Sequence, residues 1–265
     1  MSKGKVLVVG SNATRIEIQG GGTGPTGQYL NETVVPAMAL VDAGYAIVLA
    51  TPDGTKPHID PASDIVEDFD DAAAYARGKD FFENNPAMND VRRLSAVIAD
   101  GLDQFAGLFV PGGQAPVVDL MQDEELGEVL RYFHAHAKPT ALLCHGPVAT
   151  LAALPDPQAY RAALIAGDKA KIAELGKNWP YAGYKMTVFS ASEEIPIEEQ
   201  ILHGKLYFNM PDALEGAGGI VSKGKVDFGP NVVEDRELIT GQNPRSDHEL
   251  GAALVAALAR VGVPA

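Results

Sequence analysis

The sequence predicts a three-layer α/β sandwich: a mainly parallel sheet with helices on both faces. Three observations predict it. Short apolar or β-branched runs recur between helical stretches. Those runs are continuous rather than alternating, so both faces of each strand are buried. And the chain has 265 residues, 46% of them hydrophobic, which suits one large domain with a sizeable core.

The elements follow in order. Lys5–Val9 is a first buried strand. A glycine-rich loop over 20–24 leads to a helical stretch, Leu30–Ala43. Ala46–Ala50 is the second strand. The segment 64–103, acidic early and helical later, reads as an insertion. Leu108–Val110 is a strand ending at Pro111-Gly112-Gly113. A helix around Glu124–His136 precedes the strand Thr140–Cys144. The segment 154–183, with prolines and Lys/Ala-rich helical character, reads as a second insertion. Surface decoration is the simplest account of each insertion. Lys185–Phe189, Gly219–Val221 and Leu238–Thr240 are further strands. A C-terminal helix near Asp247–Val261 has Leu250, Leu254 and Leu258 on one face. No internal repeat divides the chain, so a single domain over 1–265 is expected.

Lys plus Arg is 21 and Asp plus Glu is 35, a formal charge of −14. That argues against nucleic-acid partners and anionic membrane surfaces. No apolar stretch approaches the ~18 residues of a membrane span. The start has no signal-peptide layout. A single cysteine excludes an intrachain disulfide and suits a reducing compartment. A soluble, cytoplasmic protein is expected.

That cysteine, Cys144, stands where an apolar run meets His145-Gly146-Pro147 and a helical Ala/Leu stretch. Strand, tight turn and helix, with the thiol at the apex, is the geometry of a nucleophile elbow. A helix N-terminus behind the thiol would lower its pKa. A buried structural cysteine is the plain alternative. Glu32 opens an apolar helix, so it is either a partly buried proton carrier or a first-turn partner of the helix dipole. Gly112 and Gly113, followed by Gln114, let backbone approach a substrate and present N–H groups to an oxyanion; an ordinary turn would look the same. His145 reaches the sulfur only if the turn brings its ring round. Glu194 or Glu193, after the strand ending at Phe189, could orient it; otherwise they belong to a solvated acidic loop. Metal binding looks poor. His134 and His136 are two apart, on different helix faces, and no His-x-x-x-His or Cys-x-x-Cys spacing occurs. The run over 20–24 lacks the residues of a phosphate-binding loop. No metal and no cofactor is expected.

Together these segments resemble the ThiJ/PfpI superfamily, a flavodoxin-like, glutamine-amidotransferase-like fold. Four pieces match in order: Thr26-Gly27…Glu32…Pro36 with Thr51-Pro-Asp-Gly54; Phe109-Val-Pro-Gly-Gly113; Leu143-Cys-His-Gly-Pro147; and Leu238-Ile-Thr-Gly-Gln-Asn-Pro244. The early insertion and Tyr184–Phe189 resemble the larger branch, which includes glyoxalase III and stress-inducible chaperones. The resemblance implies a Cys144–His145–acid triad, with Glu194 best aligned and Glu193 second. It implies glutathione-independent conversion of a small carbonyl substrate, a 2-oxoaldehyde such as methylglyoxal, to a 2-hydroxy acid, and a homodimer. A cysteine-dependent hydrolase (amidase, peptidase or deglycase), a stress chaperone and a redox sensor are the alternatives. Two departures stand out. Gln114-Ala115 replaces the His-Gly common after Val-Pro-Gly-Gly. The helix after Glu32 carries no histidine of the kind some members use for metal.

Overall fold

In β1, Lys5–Val9, the four apolar side chains from Val6 to Val9 are all fully buried, which only a strand covered on both faces allows. The computed structural model describes residues 3–261. The other strands among them are β2 Arg15–Ile18, β3 Gly22–Pro25, β4 Ala46–Thr51, β5 Arg92–Arg93, β6 Phe105–Val110, β7 Thr140–Leu143, β8 Lys185–Met186, β9 Ile220–Val221, β10 Val232–Asp235 and β11 Leu238–Gly241. Seven of them form the central sheet, in the order β10-β11-β7-β6-β1-β4-β5. Every neighbour pair is parallel except the edge pair β10–β11.

The helices are α1 Leu30–Asp42, α2 Ala72–Asn84, α3 Pro86–Asn89, α4 Leu94–Ala99, α5 Glu124–Ala135, α6 Pro157–Ala166, α7 Lys169–Leu175, α8 Ala191–Ile197, α9 Met210–Gly216 and α10 Asp247–Val261. Alternate side chains of each strand feed opposite cores. Leu7, Leu108 and Leu142 pack with Leu130 and Phe133 of α5. Val6, Val8, Phe109 and Leu143 pack with Leu40 of α1 and with Leu254 and Leu258 of α10. Helix, sheet and helix are thus the three expected layers. The carboxyl ends of β6, β7 and β11 lie side by side, and in such sheets the crevice beyond those ends is where ligands bind.

Four local expectations need correction. The glycine run over 20–24 is no loop leading to Glu32. Gly20 and Gly21, at φ +89° and +86°, turn the β2–β3 hairpin. Within Lys185–Phe189 only Lys185–Met186 is strand, paired with β9 outside the main sheet. Thr187 N–H instead donates to the Thr240 hydroxyl, and Phe189 N–H to the Cys144 carbonyl, so the stretch runs past the elbow without joining a ladder. The stretch behind the elbow, Gly146–Ala153, is 3-10 helix and not α-helix. Finally, the two presumed insertions carry core. The first supplies β5 and the buried Phe82, Leu94 and Val97; the second supplies the buried Tyr160, Leu164, Trp179 and Tyr181.

Candidate active site

Cys144 follows β7 with φ at +60°, the left-handed region that costs a non-glycine residue about 1 kcal/mol or more. Two backbone bonds hold it there. Its N–H donates to the Gly241 carbonyl and its carbonyl accepts from Phe189 N–H, both at 2.9 Å. The same turn brings His145 round. The Cys144 Sγ lies 3.3 Å from His145 Nδ1, and His145 Nε2 lies 2.6 Å from Glu194 Oε2. With the ring proton on Nε2 donated to the carboxylate, the Nδ1 lone pair faces the thiol. Phe189 stacks on the imidazole, ring centroids 4.5 Å apart, and fixes its plane.

Glu194 sits in the first turn of α8. Ser190 caps that helix in a capping box with Glu193. The second Glu194 oxygen accepts from Gln114 Nε2 at 2.6 Å. Gln114 thus spends its amide on Glu194, where the sequence reading had it facing an oxyanion. Glu193 points elsewhere. Its carboxylate accepts from the N–H groups of Ser190 and Phe228 and from the side-chain amides of Gln242 and Asn243. It ties three segments together and leaves His145 to Glu194.

Glu32 is completely buried in the first turn of α1. Neither carboxylate oxygen has a hydrogen bond of regular geometry, although the Cys144 thiol and the Gly113 N–H are close enough to act on the carboxyl. Burial pushes its carboxyl well above the usual range, and the charges of Asp247 and Asp68 act in the same direction. Cys144 is only 3% exposed. Burial raises its thiol pKa, and the charges of Glu32 and Glu194 raise it further, against a single lowering contact from Gly113 N–H. This corrects the expectation of a lowered thiol pKa: water exclusion and two neighbouring carboxyls raise it.

The two glycines are sterically required. A Cβ on Gly112 would run into the Glu32 carboxylate, the Leu143 carbonyl and Cys144 Cβ. Gly113 has φ +85°, and a Cβ there would strike the Gly27 carbonyl. Without them neither Glu32 nor the Gly113 N–H could approach the sulfur.

Cys144 and His145 line a cavity of about 190 Å³. Phe189, Phe228, Ile197 and Ile201 supply apolar lining, and Tyr29, Asp60, Asp68 and Arg245 supply polar lining. The sequence reading missed these last four. Tyr29 lies inside the first matched piece and Arg245 directly follows the last, at Pro244, but no spacing marks Asp60 or Asp68. A larger cavity of about 680 Å³, between α6–α7 and α9, touches Glu194 but not Cys144. Among the described residues, no group of three or more His, Cys, Asp or Glu is placed to hold a metal ion, and no helix is long and apolar enough to cross a membrane.

Comparison with known proteins agrees with this architecture. The chain is 27% identical over 258 residues to the protein/nucleic acid deglycase HchA of Staphylococcus aureus (strain Newman), covering 96% of this chain and 79% of the relative. Glyoxalase III from Candida albicans shares the fold at a TM-score of 0.71 and 20% identity, covering 96% of this chain and 97% of its own. The Rapid Encystment Protein 24 KDa of Francisella tularensis does so at 0.72 and 19%, covering 96% and 99%. The model of the DJ-1/PfpI family matches residues 27–179, a span that holds Glu32, the Gly112-Gly113 turn and the Cys144-His145 elbow, and this chain belongs to that family.

Proposed function

We propose that the protein is a glutathione-independent glyoxalase that converts a 2-oxoaldehyde such as methylglyoxal to a 2-hydroxy acid. One observation carries the reading: Cys144, His145 and Glu194 stand in line, with the buried Glu32 carboxyl against the same sulfur. His145 Nδ1 takes the thiol proton as sulfur attacks the aldehyde carbon, and Glu194 steadies the imidazolium. Glu32, kept protonated by burial, gives its proton to the aldehyde oxygen, and a hemithioacetal forms. The Glu32 carboxylate then removes the hydrogen on that carbon while the imidazolium protonates the ketone oxygen, giving an enediol. Glu32 returns its proton to the second carbon, and the remaining enediol proton goes back to His145. The product is a thioester. Water hydrolyses it, its proton restoring Glu32 while the imidazolium restores the thiol. One carbon is oxidised and its neighbour reduced, with one water consumed and no external electron carrier. In this reading the backbone N–H groups of Gly113 and His145 stabilise the oxyanions.

The small cavity and the buried thiol favour a small substrate over a polymer. The curated relative supports a second reading. It is named a deglycase, and the adduct of an amine with a 2-oxoaldehyde offers this site the same two carbons. Lactate should form from methylglyoxal in chelator-treated protein. It should vanish in Cys144→Ala and fall about a hundred-fold in Glu32→Gln. Amine release from amides or glycated amines through the same cysteine, with no hydroxy acid from free 2-oxoaldehydes, would replace this reading with the hydrolase one. We also propose a cytoplasmic homodimer. Fractionation and light scattering test that; a monomeric mass overturns the dimer.

A further inference from the structure

We propose that the cavity selects 2-oxoaldehydes carrying a hydroxylated tail over those carrying an alkyl tail, and that Asp68 and Arg245 make the selection. The inference rests on the glyoxalase reading and names its substrate class.

Three separate segments bring the polar lining together. Tyr29 precedes α1, Asp68 ends a 3-10 turn at Val66–Asp68, and Arg245 lies in another at Pro244–Ser246. The Tyr29 hydroxyl faces the Asp68 carboxyl. Asp68 Oδ2 is nevertheless buried with no hydrogen-bond partner. Arg245 is the only lysine or arginine lining the cavity, and it is close enough for its charge to stabilise the Asp68 carboxylate. Yet no hydrogen bond or ion pair engages its guanidinium among the described residues. The cavity therefore sets a buried, unpartnered acceptor atom beside an exposed guanidinium that no protein group engages among the described residues.

Leaving a buried polar group unmade is what costs most in the balance of hydrogen bonds. An alkyl tail leaves Asp68 Oδ2 unsatisfied and displaces water from the cavity side of Arg245. A hydroxyl donates to Asp68 and accepts from Arg245, and so answers both. A carboxylate or phosphate tail would suit Arg245 alone and oppose Asp68; an ammonium tail would do the reverse. A polyhydroxylated tail fits the pair as it stands. The reaction itself is unchanged. The aldehyde carbon is oxidised, the ketone carbon is reduced, one water is consumed, and the tail hydroxyls pass through untouched.

The test compares kcat/KM for 3-deoxyglucosone, a six-carbon 2-oxoaldehyde with hydroxyls along its tail, and 2-oxohexanal, which has the same carbon count and none. The readout is the ratio of the two, measured in wild type, Arg245→Met and Asp68→Leu. Hydration and cyclisation of the free aldehydes cancel between proteins. Each substitution should lower the ratio about ten-fold, the effect of losing one hydrogen bond to a charged group. The double variant should lose less than the product of the two, because one hydroxyl serves both residues. Arg245 is exposed, so Arg245→Met keeps the fold even if Asp68→Leu does not. Wild type active on both substrates, with a ratio that Arg245→Met leaves unchanged, overturns the selection and leaves the glyoxalase reading standing. No hydroxy acid from either substrate, nor from methylglyoxal, overturns that reading and this inference with it.

Discussion

Cys144 and Glu32 meet in a space that excludes water, so burial makes both harder to ionise, and the Glu32 carboxylate raises the thiol further. Alkylation of Cys144 by iodoacetamide should therefore follow a titration midpoint above the ~8.5 of a free thiol. Glu32→Gln removes a neighbouring charge and should move that midpoint down; an unchanged midpoint would separate the two groups. The same burial sets a pH dependence of stability. The folded pKa of Glu32 lies well above the ordinary value of 4.5. Above that value the folded state holds a proton that the unfolded chain releases, so stability falls as pH rises. Its contribution is fully present below the ordinary carboxyl range and is lost on the way up to the folded pKa. Glutamine never ionises. Glu32→Gln should match wild type in Tm near about pH 4 and exceed it increasingly toward about pH 8. A difference that shrinks with pH would contradict a raised carboxyl. Activity and stability thus pull in opposite directions at this one side chain.

The elbow is an element-level construction, and Gly112 is where it is most tightly made. Three groups close on the place its Cβ would occupy, two of them backbone-anchored and one the reacting carboxyl. Gly112→Ala should cost about 2 kcal/mol of stability or more, and should cut turnover by displacing Glu32 from the sulfur. Near-normal activity in that variant would mean that the turn yields easily. Much of this element was readable in the sequence. An apolar run stopping at Cys-His-Gly-Pro, and another at Pro-Gly-Gly, needed only local pattern. The thiol's pKa was not readable, because it depends on a carboxyl more than a hundred positions away in the chain. The same holds for Gln114, whose partner Glu194 comes from another helix. The strand expected over Lys185–Phe189 failed for a related reason: its composition suits a strand, but a threonine side chain and the elbow carbonyl take its N–H groups. Residue pattern alone did not separate Glu193 from Glu194, which only the resemblance ranked, because adjacent helix positions look alike until packing shows which way each faces.

At the scale of the molecule, the question is whether 265 residues unfold as one unit. The segment 154–183 reads as an addition, yet it is bound into the core at several points. The Trp179 indole N–H donates to the Thr150 carbonyl at 2.8 Å, on the 3-10 stretch behind the elbow. Tyr181 Oη donates to the Leu130 carbonyl of α5, and Tyr160 Oη to the Ala213 carbonyl of α9. All three aromatic side chains are buried. Such links make separate melting costly, since loosening the segment strips a partner from buried carbonyls of the core. Trp179 is the only tryptophan in the chain, so its fluorescence reports this segment alone. Far-UV ellipticity reports the helices of the whole molecule. In a urea titration the two signals should give the same midpoint and slope, as one cooperative unit requires. A tryptophan transition that comes first, with most ellipticity retained, would show that the segment is a separable addition and that the elbow's support can be lost while the sheet persists.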